Sequence, residues 1–119
     1  MCGQPVRDEV EREVIYRNKR LLEAVRHSPC QHCGIEDGTV VAAHSNQLRD
    51  GKGKGIKAHD YRIAALCHKC HYEIDQGSKL SKQERLNVWE EAHRKTVGWL
   101  FDNSILILRP SSSDSAYSE

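Results

Sequence analysis

The sequence predicts an α+β fold, a small zinc-stapled core of two strands and a helix flanked by N- and C-terminal helices. Three observations predict it. Two C-x-x-C pairs, Cys30-Gln31-His32-Cys33 and Cys67-His68-Lys69-Cys70, stand 33 residues apart in a chain of 119. That spacing can set four thiolates tetrahedrally around one Zn²⁺. Short β-prone runs end at His44 and at Leu66, just before the second pair. Segments with helical periodicity lie at both ends.

Composition explains why a staple is needed. Hydrophobic residues are 38% and aromatics 6%, so the core is modest and metal binding is the expected supplement. Four thiolates on zinc contribute on the order of 10 kcal/mol, comparable to a small domain's whole stability. No apolar run approaches transmembrane length and no signal-peptide pattern opens the chain, so a soluble, cytoplasmic protein with no membrane association is expected. Thiols stay reduced there, and cysteine pairs then read as metal ligands. Cys2 is the fifth cysteine and reads as a spare thiol. The length suits one domain: 1–27 as an N-terminal helix packing on the core, 28–109 as the zinc domain with its C-terminal helix and strand, and 110–119 as a disordered tail.

In chain order, Val10, Val14, Leu21 and Val25, with Ile15 and Leu22, recur at helical steps and predict an amphipathic packing helix over 6–26. Ser28-Pro29 stops it. After the first cysteine pair, Gly34 to Gly38 is a turn-rich connector, and Thr39 to His44 reads as a strand delivering His44 at its end. Gly51-Lys52-Gly53-Lys54-Gly55 is a basic loop that matches no nucleotide-binding glycine pattern. Tyr61 to Leu66 reads as the second strand. A short helix from His68 to Asp75 follows, closed by Gly77. Ser81-x-x-Glu84 is a capping box opening a longer helix, with Leu86, Trp89, His93, Val97 and Leu100 as its inner stripe. Ser104 to Leu108 reads as a closing strand.

The formal charge of +1 hides a local excess. Between His44 and Tyr72, six basic residues face two acids, Asp50 and Asp60, which suits a phosphate-rich partner as well as a plain solvated loop. Lys52, Lys54, Lys57 and Arg62 are the candidate nucleic-acid contacts, since lysines on a glycine loop can follow a phosphate backbone without reading sequence. Phosphodiester hydrolysis needs an activated water and a cation on the phosphate. A histidine, titrating near neutral pH, is suited to take the proton of that water.

The order of strand, His44, basic loop, strand, cysteine pair and His71 on a helix resembles the HNH endonuclease superfamily in its zinc-stabilised branch. Within it, Ala43-His44, Gly51 to Lys57, Asp60 and Leu66 to Asp75 are similar to small phage- and prophage-encoded HNH nucleases and to phage recombination-enhancement nucleases. The resemblance covers about residues 28 to 77. It implies a ββα-metal core, a structural Zn²⁺ on Cys30, Cys33, Cys67 and Cys70, and a catalytic Mg²⁺ or Mn²⁺. His44 would be the general base, and His71 and Asp60 further catalytic residues. His71, Asp60 and Asp75 would be the candidate ligands of the catalytic ion, with Asp60 alternatively orienting His44. DNA is the implied substrate, a recombination protein is a candidate partner, and the host cytoplasm is the implied location. The family often carries Asp or His just before the base, where this chain has Ala43. Its middle Asn falls at Arg62. A non-catalytic zinc module that binds DNA or a protein, with a degenerate HNH site, is the competing expectation.

Overall fold

The computed structural model describes residues 15–53 and 55–110. The first part of the expected N-terminal helix, Cys2, Lys54 and the tail from 111 lie outside the described residues. The architecture is α+β, as expected. Helix α1 (Lys19–Val25) precedes an antiparallel pair, β1 (Val41–His44) and β2 (Ile63–Leu66). Helix α2 (His68–Asp75) and the long α3 (Lys82–Asp102) follow.

The strands pair in a register that sets Val41 against Leu66 and His44 against Ile63. Their middle rungs are alanine on alanine, Ala42 with Ala65 and Ala43 with Ala64. Such small side chains let α3 lie directly on the ladder. Every β2 residue is buried as a result. The outward-facing backbone of Ala65 is satisfied on both sides: its N–H donates to Thr96 Oγ1 at 2.9 Å and its carbonyl accepts from Gln31 N at 2.8 Å. Thr96, fully buried, passes its own proton to Ala92 O. Buried polar groups matched in this way avoid a desolvation cost of about 1–3 kcal/mol each.

Three expectations need correction. The described helical residues at the N-terminus are Lys19–Val25, and 15–18 run outside the helix because their backbone and side chains bond to residues 57–60. Asn18 then caps α1, its side chain accepting from Leu21 N. The inner stripe of α3 is Trp89, Ala92, Thr96 and Leu100, one position off the predicted line at 93 and 97. The closing strand over 104–108 is absent. Ser104, at φ 59°, turns the chain back, with Ile105 N donating to Leu100 O and Ser104 N to Phe101 O. That is a Schellman termination with serine where glycine is usual. The capping box at Ser81 and Glu84 forms as expected. Gly77 closes α2 because a Cβ there would sit 2.6 Å from Glu73 O.

Candidate metal centre and imidazole–carboxylate site

The two cysteine pairs meet. The sulfurs of Cys30, Cys33, Cys67 and Cys70 all lie within 4.8 Å of one another. Cys33 Sγ and Cys67 Sγ are 3.8 Å apart, about the edge of a tetrahedron with Zn–S bonds of ~2.3 Å. The local fold prepares each pair. Cys33 N points at Cys30 Sγ and Cys70 N at Cys67 Sγ, both at 3.5 Å. Cys67 is also the N-cap of α2, so the pair that could hold a metal also starts the helix, in one turn. Gly34, at φ 84°, closes the first pair, its N–H donating to Cys30 O.

Burial opposes ionisation of the Cys30 thiol, but N–H groups of Cys33, Cys67 and His32 overcome it and bring the thiol down to about 7. Cys67 and Cys70 are pushed up by burial and by the sulfurs beside them. Four thiolates so close repel one another, and a soft divalent cation removes that repulsion. The donor set and spacing fit a structural metal such as zinc.

A second cluster forms at the end of β1. His44 Nε2 lies 2.8 Å from Asp60 Oδ1. Asp60 is 2% exposed and also accepts from Arg17 Nη1 at 3.1 Å and from Asn18 N at 2.7 Å. Burial works against its charge, yet the hydrogen bonds from His44 and Asn18 and the nearby guanidinium hold the carboxyl below its ordinary range. An ionised carboxylate only accepts, so Nε2 of neutral His44 carries the proton and Nδ1 carries the lone pair. Asp60 is thus engaged by three donors, the imidazole, a guanidinium and a backbone N–H.

On α2, His71 Nε2 is 3.2 Å from Asp75 Oδ2, and Asp75 Oδ1 accepts from Asn46 Nδ2 at 3.0 Å. Asn46 is two residues past His44, so this contact draws the far half of α2 to the end of β1. Asp75 and His71 are each about a third exposed. Among the described residues, the four cysteines are the one convergent group of three or more His, Cys, Asp or Glu side chains. His44 with Asp60, and His71 with Asp75, stand as two pairs linked through Asn46.

Of the expected phosphate contacts, Arg62 is taken up by the scaffold. Its side chain is 17% exposed, with Nη2 2.7 Å from Glu90 Oε2 and the guanidinium 4.9 Å from the Trp89 ring. Its Nε is 2.9 Å from Asp50 Oδ1, an ion pair whose N–H direction misses a proper hydrogen bond. Lys52 Nζ reaches Gly53 O within its own loop, and Lys57 is exposed. His59 is not free either: Nδ1 accepts from Tyr16 N, and the ring stacks on Tyr61. Ala43 is buried, with its carbonyl accepting from Trp89 Nε1.

Arg17 and Asn18 were not singled out by sequence reasoning. They touch Asp60 across more than 40 residues of chain, and nothing in local periodicity signals such a contact. Comparisons with protein families, with curated proteins and with solved structures find no match. No helix among the described residues is long and apolar enough to cross a membrane.

Proposed function

We propose that the protein is a divalent-metal-dependent DNA endonuclease of the HNH type, acting in phage or prophage DNA metabolism or recombination. The observation that carries this reading is the His44–Asp60 pair at the end of β1. A buried carboxylate fixes one imidazole nitrogen and leaves the other as a base. His44 itself is 14% exposed, enough to meet a water at the surface. In this role His44 Nδ1 takes the proton of the attacking water, and Asp60 stabilises the imidazolium that results. The exposed Lys57 and the rest of the basic loop would bind the flanking phosphates.

His71 and Asp75 are the residues that would hold a Mg²⁺ or Mn²⁺ ion. Such hard cations commonly take one or two protein ligands and fill the remainder with water and substrate oxygens, so this small donor set suits them. When bound, the ion supplies charge neutralisation on the phosphate and the leaving oxygen. A structural metal on the four cysteines would fix the start of α2, the helix that carries this pair.

The test is divalent-dependent nicking of plasmid DNA. Wild type is expected to cleave, and His44→Ala to lose roughly 100-fold or more of the rate, the usual contribution of a positioned general base. Full activity in His44→Ala would remove His44 from the role. The second reading is a zinc module that binds DNA or a protein without cutting. It is favoured by Ala43, whose side chain is core at a position where the HNH family often has a ligand. DNA binding with no cleavage under any divalent ion would select it.

A further inference from the structure

We propose that the Tyr16–Asn18 segment is a working part of the His44 site, with Arg17 as a positioning residue that acts through Asp60. The inference rests on the endonuclease reading only for its kinetic consequence, because the geometry concerns the imidazole itself.

Asp60 makes four contacts besides its place in the chain, and three of them come from this segment. Asp60 N donates to Tyr16 O at 3.0 Å, Oδ2 accepts from Asn18 N, and Oδ1 is shared by Arg17 and His44. Arg17 does more than pair a charge. Its Nη1 donates to Ala58 O at 2.7 Å and its Nη2 to Lys57 O at 2.9 Å. One planar fork therefore grips the carboxylate and the two carbonyls that lead up to it, a task lysine's single nitrogen cannot reproduce. Without the segment, Asp60 would keep only His44 and could rotate away. The imidazole would then sample both tautomers.

The guanidinium is 47% exposed, which raises one competing role, direct contact with a DNA phosphate. Nη1 is taken up by Ala58 O and Asp60, and Nη2 gives one of its two N–H groups to Lys57 O, so the fork is already held against residues 57–60 while an Nη2 hydrogen stays unassigned. The two roles also differ in what they change. A phosphate contact sets affinity and salt dependence, whereas a positioning residue sets the rate of the bound complex.

The experiment uses the full-length, zinc-loaded protein and ¹⁵N NMR of the His44 ring nitrogens. Wild type is expected to hold the neutral Nε2–H tautomer alone, Arg17→Ala a mixture of both, and Arg17→Lys an intermediate pattern. A single Nε2–H tautomer in a folded Arg17→Ala would overturn the proposal. Should that variant fail to fold, Arg17→Gln drops the charge while keeping an N–H donor, and is read by the same two outcomes. In the cleavage assay, Arg17→Ala is expected to lower kcat by roughly 10- to 100-fold, with KM and its salt slope unchanged. A raised KM with a flatter salt slope would instead make Arg17 a phosphate contact and overturn the proposal. If wild type cuts no DNA, the endonuclease reading fails, while the tautomer measurement still decides the role of Arg17.

Discussion

Asp50 and Asp60 sit ten residues apart in the same loop, both buried and both paired with an arginine, yet they are built for different ends. Asp50 is enclosed by partners that keep their charge state: Ser45 Oγ donates to it at 2.6 Å and Arg62 lies against it. Arg62 continues to Glu90, which also accepts from Gln47 and Arg49. This closed network ties the loop to α3. Asp60 differs in one partner, an imidazole whose second nitrogen has no hydrogen-bond partner among the described residues. A carboxylate among fixed charges makes scaffold, whereas a carboxylate against a titratable ring makes a site that can move a proton. Sequence near the two aspartates does not separate them, and the partner does.

That contrast can be broken at several levels, and the largest effect lies in the brace that supports both clusters. Cys67→Ser, or chelation of the metal, is expected to remove a large share of the ~10 kcal/mol that such a site contributes. Zinc content, circular dichroism and thermal unfolding would all register it. An unchanged zinc content and fold would show that the cysteine cluster is not the staple.

Next is Arg62→Ala, which leaves Asp50 and Glu90 facing each other without their shared cation. A loss of about 2–3 kcal/mol is expected, below the range for fully buried pairs because these groups keep some solvent. Denaturant unfolding measures it. The same variant should keep the salt slope of DNA binding unchanged, since Arg62 is spent on the scaffold. A slope reduced by about one would return it to the phosphate contacts.

Asp60→Asn is expected to cost about 1 kcal/mol of stability at neutral pH, discounted for the half-exposed Arg17, and far more in cleavage rate. Its sign with pH follows from the lowered carboxyl of folded Asp60. The unfolded state binds the proton more readily, so the contribution is present above the ordinary carboxylate range near pH ~4. It is lost as pH falls through the folded value. Unfolding of wild type and variant should therefore converge in acid.

The smallest effect belongs to His93, stacked on Trp89 with Nδ1–H donated to Ile63 O. Burial, helped by Arg62, lowers its affinity for a proton and outweighs the opposing carbonyl bond. Its contribution is thus present above the unfolded value near pH ~6.5 and declines as pH falls toward the folded one. His93→Gln should flatten the stability slope of wild type on the acid side of pH ~6.5. An identical slope in both proteins would place the titrating group elsewhere.

Much of the fold was legible because its signals are local. A C-x-x-C turn, a capping box and a β-prone run each act within a few residues, and the strands, α2 and the start of α3 lie close to where those signals put them. The errors fall where a distant partner overrides local preference. Residues 15–18 carry helical periodicity, but Asp60 and the carbonyls of Lys57 and Ala58 pull them out of the helix. Arg62, a candidate phosphate contact beside a basic loop, reaches Glu90 28 residues away, a pairing its neighbours in sequence do not signal. Ile105 and Leu106 looked like a strand, and the left-handed Ser104 turned them back onto α3 instead.

The sequence alone determined the four cysteines that could hold a metal and the placement of His44 at a strand end, because cysteine spacing and β periodicity are written in near neighbours. The tertiary structure alone decided what His44 faces. Asp60 meets the ring while also accepting from Arg17 and the Asn18 amide, which come from the segment that leads into α1. Charge-assisted hydrogen bonds between segments more than 40 residues apart depend on how the elements pack, and packing is a property of the whole chain.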